Sequence, residues 1–173
     1  MSATQKISPN SLSFIALTNE YCQAVEHAES ATRSDFLAVM LKILPRIYII
    51  ANDLEHEYSF SDYAIEPYLT ENSYNQVRNT MSSVLAEEDV YLEVFVEDMK
   101  YSDTPIASSI SENLADLYQE FYNFIATIKD ASTEAQIELI GVCKSDFRDF
   151  WGQTLCNVMR AIHTAYYAPS NAD

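Results

Sequence analysis

Apolar residues recur along most of this chain at steps of three and four, the period of a helix with one buried face. From Asn10 to about Ala31 the stripe is Phe14, Leu17, Cys22, Val25 and Ala28, with Glu20, Glu26 and Glu29 outside it, and a first helix is predicted there. Ser34 can cap a second helix by accepting from a free backbone N–H, and Asp35 suits its positive end. The apolar set of that helix is Phe36, Val39, Met40, Ile43, Leu44, Ile47 and Ile50, which covers more than half of the helical wheel. Lys42, Pro45 and Arg46 are left on a narrow outer face. This pattern predicts the central helix of the fold, kinked at Pro45, which lacks the N–H for one i→i−4 bond.

Asp53 to Thr70 has no sustained period, contains Pro67 and carries Tyr58, Phe60, Tyr63 and Tyr68 among acidic residues, so an ordered loop is predicted. Its rings are expected to seal the end of the bundle, with a sugar or peptide site as the alternative. A third helix from Ser73 to about Glu87 places Tyr74, Val77, Met81 and Val84 on one face. Val90 to Glu97 fits either state: Val90, Leu92, Val94 and Val96 alternate like a strand, whereas Leu92, Phe95 and Met99 fit a helix. No segment offers an evident strand mate, so helix is the assignment. Thr104 followed by Pro105 reads as the start of a fourth helix, with the stripe Ile106, Ile110, Leu114, Leu117, Phe121, Phe124 and Ile128. A last helix from Thr133 to about Thr164 carries Ile137, Ile140, Phe147, Trp151, Leu155, Val158 and Ile162 on one face. The prediction is an all-α, up-and-down bundle of about five or six helices in a single domain spanning 1–173, with 1–10 and 168–173 as flexible tails.

Composition sharpens this picture. The chain has only 2 glycines in 173 residues, against an average near seven per cent, which disfavours the tight turns of an all-β fold. Both, Gly141 and Gly152, fall inside the last helix, where each costs about 1 kcal/mol relative to alanine. Eleven residues apart, they return to nearly the same side, so a neighbouring helix or a flat aromatic ring is expected to lie close against them. The net charge of −16, with 10 basic residues scattered along the chain, opposes direct binding of nucleic acid and docking on anionic membranes. The longest apolar stretch, Phe36 to Ala51, is interrupted by Lys42, Pro45 and Arg46 and falls short of the roughly 20 residues a bilayer crossing needs. Met1 to Ser11 reads as neither a secretory signal nor an anchor. Cys22, Cys143 and Cys156 are an odd number without a CxxC pair, so reduced thiols in a cytoplasm are expected.

Candidate chemistry is sparse. A di-metal carboxylate bundle needs Glu-x-x-His pairs on facing helices, and the nearest approach is Asp53-x-x-His56 beside Glu55 and Glu57. It reads as a solvated helix end, and neither a metal nor a cofactor is expected. His27 and His163 stand alone, and no nucleophile elbow, phosphate loop or dinucleotide fingerprint occurs, which weighs against an enzyme. In Tyr101-Ser102-Asp103-Thr104-Pro105 a polar turn feeds a helix whose free N–H groups could hold a small anion, against the alternative that Asp103 or Thr104 simply caps the helix.

The stretch Asp89-Val90-Tyr91-Leu92-Glu93-Val94-Phe95, then Tyr101 to Ile106, Trp151-Gly152-Gln153 and Arg160-Ala161-Ile162-His163, resembles an uncharacterised bacterial family of all-helical domains of unknown function. The likeness runs from about Phe14 to His163 and implies no activity, cofactor or catalytic residue. In that family's pattern a glutamate completes a capping box behind Thr70, where this sequence has Ser73. The leading reading is a non-catalytic acidic module that binds a protein or small ligand, with Tyr101, Asp103, Thr104, Gln153 and Arg160 as candidate ligand residues. The alternatives are a small-molecule enzyme with a site near the Asp103 turn and the last helix, and a nucleic-acid mimic acting on a basic partner. Oligomeric state is open.

Overall fold

A computed structural model of the protein describes residues 6–58, 60–93, 97–101 and 104–169. In chain order the elements are α1 (Pro9–Glu26), α2 (Arg33–Asn52), α3 (Glu71–Leu85), β1 (Val90–Leu92), β2 (Ala107–Ser109), α4 (Ile110–Ile128), α5 (Thr133–Asp146), a π turn (Phe147–Trp151) and α6 (Gly152–Tyr167). Short 3-10 turns occupy Ala28–Ser30, Ala86–Asp89 and Glu97–Lys100. The fold is predominantly all-α, as the stripes predict.

Cross-links between helices fix their directions. Asn10 reaches the Asp53 carbonyl and Arg46 approaches Glu20, so α1 and α2 are antiparallel. Phe14 against Phe124, and Tyr118 donating to Glu26, make α1 and α4 antiparallel. α4 meets the start of α6 through Phe121 and Trp151, and it runs antiparallel to α6 because α1 is antiparallel to both α2 and α4 and α2 is antiparallel to α6. With α2 antiparallel to α6, the ring α1–α2–α6–α4 closes as a four-helix bundle. α3 flanks it from outside, with Tyr74 donating to Asp116 of α4 at 2.6 Å.

The core is aromatic at one level. Phe14, Tyr21, Phe121, Phe124 and Trp151 are buried, with Tyr21 edge-on to Phe121 at 5.2 Å and Trp151 edge-on to Phe121 at 5.1 Å. The Tyr21 hydroxyl, which the stripe of α1 does not include, donates to the Leu114 carbonyl at 2.7 Å and so enters the core with its polar end satisfied.

Several expectations are corrected. α2 is capped by Thr32, two residues before Ser34, with the Thr32 hydroxyl accepting from the Asp35 N–H. It is one wall of the ring, so Val39 lies 38 % exposed and Ile49 58 % exposed. The helix with neighbours on most sides is α4, where Ile110, Leu114, Leu117, Phe121, Phe124 and Ile128 are all buried. α1 starts at Pro9, inside the expected N-terminal tail, capped by Ser8. α3 begins at Glu71, where Thr70 caps the Ser73 N–H and the Ser73 hydroxyl bonds back to Thr70 at 2.9 Å. Ser73 thus bonds to the Thr70 hydroxyl, whereas a glutamate would reach the Thr70 backbone N–H.

Residues 90–92 are a strand rather than helix, paired antiparallel with 107–109 in the register Val90↔Ser109, Tyr91↔Ser108, Leu92↔Ala107. The fourth helix accordingly starts at Ile110, not at Thr104. The reason is Asp89, a buried carboxylate that accepts from the Ser111 N–H and hydroxyl, both at 2.7 Å, and from the Ser109 hydroxyl at 3.2 Å. Residues 94–96 lie outside the described residues.

To bring Asp89 there the chain leaves α3 through Ala86, at φ 51° and ψ −124°. An L-side chain is strained in that region by about 1–2 kcal/mol. Glycine loses about 0.5–1 kcal/mol of that gain to its larger unfolded-state entropy. We expect Ala86→Gly to stabilise the protein by up to about 1 kcal/mol and to raise the midpoint of thermal unfolding by roughly 2–4 °C. An unchanged or lower midpoint would show that Ala86 is not strained.

Candidate functional site

Small residues open a seam between α2 and α6. α2 packs against α6, with Leu44 and Ile47 of the one and Leu155 and Val158 of the other buried in the shared core. Toward solvent α6 presents the small, exposed Cys156, which lines the space beside Pro45 and Tyr48. An upper cleft of about 620 Å³ is lined by Tyr48, Asn52, Glu57, Lys144, Phe147, Arg148, Gly152, Gln153, Cys156 and Asn157. A lower cleft of about 430 Å³ is lined by Leu41, Pro45, Cys156, Met159, Arg160, His163 and Tyr167. Cys156 lines both, so the two clefts adjoin there and together follow the α6 face from Gly152 to Tyr167, about 22 Å at 1.5 Å per residue; this pair of adjoining clefts is the α2–α6 groove.

The upper end is built by the π turn. Its extra residue turns Phe147 toward Tyr48, ring centroids 5.1 Å apart and edge-on, and the Gly152 N–H donates to the Phe147 carbonyl five residues back. A Cβ at Gly152 would lie 2.5 Å from that carbonyl oxygen and 2.8 Å from the Phe147 ring. Gly141 meets a different neighbour: its Cβ would sit on the ring of Tyr58, 2.9 Å from Cε2 and closer to Cδ2. The Tyr58 N–H also donates to the Gly141 carbonyl at 3.1 Å. Two glycines expected on one groove thus serve two contacts, one with the tyrosine-rich loop and one inside the helix.

That loop straps over α5 and α4. The Ser61 hydroxyl donates to Glu138, the Glu66 N–H to the Thr127 hydroxyl and the Leu69 N–H to Asn123. Leu54 supplies its fully buried contact, whereas Phe60, Tyr63 and Tyr68 are exposed and do not seal the bundle. The Lys144 amine donates to the Leu54 carbonyl, and Arg148 pairs with Glu57 of the loop and bidentately with Asp149 at 2.7 and 2.8 Å. The hydrogen bond from Arg148 holds the Asp149 carboxyl below its usual range.

Of the residues singled out from sequence, Gln153 lines the upper cleft and Arg160 the lower one, seven residues apart on α6. Tyr101, 85 % exposed, and Thr104 line neither cleft, and Asp103 lies outside the described residues. Arg160 adjoins β1: burial pushes the Tyr91 phenol up, and its hydrogen bonds and the Arg160 charge partly offset this. Lys144, Arg148, Tyr48 and Asn52 escaped the sequence reading. A basic pair at i and i+4 in so acidic a chain was the available signal. Among the described residues no three His, Cys, Asp or Glu side chains converge as a metal ion needs, and Asp53 closes the C-terminus of α2.

A second cleft, about 440 Å³ between α4 and the π turn, is acidic, with Asp116, Glu120 and Asp149 around the 70 % exposed Phe150. Burial, then repulsion from Asp146 and Asp116, raises the Glu120 carboxyl, and Asp116 and Asp146 are raised chiefly by burial as well. A carboxyl whose pKa is raised on folding binds more protons in the native state, so it favours folding at low pH and loses that contribution as pH rises through the native value. We expect acidification from pH 7 to 5 to raise the melting midpoint of wild type more than that of Glu120→Gln. Equal shifts for the two proteins would contradict this.

Residues 5–168 match the family model described as Domain of unknown function (DUF5063). The crystal structure of protein BF1032 from Bacteroides fragilis, a structural-genomics target, is similar over 96 % of this chain and 98 % of that one, with 34 % identity and a TM-score of 0.80. No curated protein matches the chain. Among the described residues no helix is long and apolar enough to cross a membrane. Matched almost from end to end, the chain belongs to the DUF5063 family, whose members are domains of unknown function.

Proposed function

We propose that this domain is a non-catalytic interaction module that engages a partner along the α2–α6 groove. The observation that carries the reading is the continuity of the groove: four turns of α6 line an open channel with tyrosines 48 and 167 near its two ends. A solvent-open channel of that length between two rigid helices suits a chain segment better than an enclosed small substrate. The net charge of −16 favours a protein over a nucleic acid as partner, and three free thiols suit a cytoplasmic setting.

Cys156 is exposed in the groove while Cys22 and Cys143 are buried, so a photoactivatable benzophenone maleimide can be directed to one point. Cross-linking in lysate of the source organism is expected to capture a partner from Cys156. It is expected to fail from a cysteine at the exposed Lys129 position in a Cys156→Ser background. Capture from both points alike, or from neither, would rule the groove out as the working surface.

A further inference from the structure

We infer that the α2–α6 groove receives an acidic, amphipathic segment of a partner protein, with carboxylates at its two ends and apolar side chains between them. The inference rests on the reading of the groove as the working surface and adds the chemistry of its occupant. Charge carries it. The chain has 26 acidic and 10 basic residues, yet along the groove Lys144, Arg148 and Arg160 stand against Glu57 in the lining and Asp149 paired to Arg148. Like charge would repel an acidic segment almost anywhere else on so anionic a protein, whereas here Lys144 and Arg160 present cations to it.

The cations also retain capacity. The Arg160 side chain makes no hydrogen bond or ion pair among the described residues, and Lys144 spends one of its three donors on the Leu54 carbonyl. Arg148 is already held by Glu57 and Asp149, which neutralise it, so Lys144 is the cation that this end can offer. Lys144 and Arg148 stand at the upper end, and Arg160 with His163 toward the lower end. The 12 residues from Arg148 to Arg160 correspond to about 18 Å, or three turns of a docked helix. The lining also offers apolar contact, from Tyr48 beside Phe147 in the upper cleft and from Leu41 and Met159 in the lower. A small anion would satisfy one end and leave that apolar lining unused.

The test is selection of random twelve-residue peptides on phage against the intact protein in 150 mM salt. The affinities of the enriched peptides are then measured by fluorescence anisotropy for wild type, Arg160→Glu, and wild type alkylated at Cys156. Arg160 is exposed, so the substitution leaves the fold intact, and the alkylated protein blocks the groove without any substitution. The expected result is enrichment of Asp- and Glu-flanked apolar sequences whose Kd weakens at least tenfold in both altered proteins. Basic or neutral peptides that are blocked by the Cys156 adduct would overturn the acidic occupant and leave the groove standing. Peptides indifferent to both changes, or no enrichment at all, would overturn occupant and groove together. Full displacement of an acidic peptide by millimolar inorganic phosphate would assign the groove to a small anion and overturn the segment.

Discussion

Gly152→Ala is expected to lower the midpoint of thermal unfolding by roughly 4–8 °C, against the intuition that alanine strengthens a helix. Gly152 has an ordinary helical φ of −62°, so glycine is needed there for space and not for conformation. The added methyl would meet the Phe147 carbonyl oxygen at 2.5 Å, and a backbone atom inside a packed helix cannot step aside as a side chain can. Overpacking of this kind costs about 1–3 kcal/mol, and the upper end applies where the contact is backbone. The propensity gain of about 1 kcal/mol leaves a net loss near 2 kcal/mol. At Gly141 the obstacle is the Tyr58 ring on a strap, which can lift away. Gly141→Ala is therefore expected to cost less globally, with the loss concentrated in the loop and visible as faster amide exchange at Tyr58. If Gly152→Ala melts above wild type, the π turn rearranges freely and the account of Gly152 is wrong.

The π turn was not legible in the spacing of the last helix. The buried series Ile140, Cys143, Phe147, Trp151, Leu155, Val158 and Ile162 contains three consecutive steps of four. Each such step rotates an α-helical stripe forward by about 40°, but the flanking steps of three turn it back by about 60° each, so the series stays within an arc of about 120° and by itself calls for no π turn. The π turn leaves Trp151 edge-on to Phe121. The helix stripes were legible because each helix buries one face, and burial is what periodicity records. The β ribbon was not, because its second strand is Ala107-Ser108-Ser109, small and polar residues without an alternating apolar face.

The start of α4 shows how a local signal loses to a longer-range one. Thr104-Pro105 has the chemistry of a helix start, yet Ser109 with Glu112 three residues later is also a capping pattern, and it is the one used. What decides between them is Asp89, twenty residues upstream of Ser109, and no local window contains it. The groove was half legible for a similar reason. Gln153 and Arg160 lie on it by their place on α6, whereas Tyr48, Asn52 and Lys144 reach it only because α2 and the π turn are brought alongside.

Asp89→Ala is expected to be more damaging than Gly152→Ala. The Asp89 carboxylate is 6 % exposed, and its two oxygens accept three hydrogen bonds that tie the end of α3 to the first turn of α4. Truncation leaves the Ser111 N–H buried without its acceptor, since Ser111 is itself only 2 % exposed, and leaves the Ser111 hydroxyl only the Ser109 hydroxyl at 2.7 Å. It also frees Ser109, whose hydroxyl caps α4 by accepting from the Glu112 N–H at 3.2 Å. A buried donor left unpaired costs about 1–3 kcal/mol, and hydrogen bonds to a charged group are the stronger kind, so the loss should be about 3 kcal/mol or more. For a chain of this size that is a fall of roughly 6–12 °C in the midpoint. Asp89→Asn keeps the shape and one carbonyl acceptor for the Ser111 N–H, while its amide can donate to a serine hydroxyl, so it should lie between wild type and alanine. Amide exchange would locate the damage: protection should drop first at Ser111 and Glu112, ahead of the core of α4 around Phe121. Uniform loss of protection along α4, or Asn and Ala variants that melt together, would mean that the carboxylate acts on the whole fold rather than on this junction.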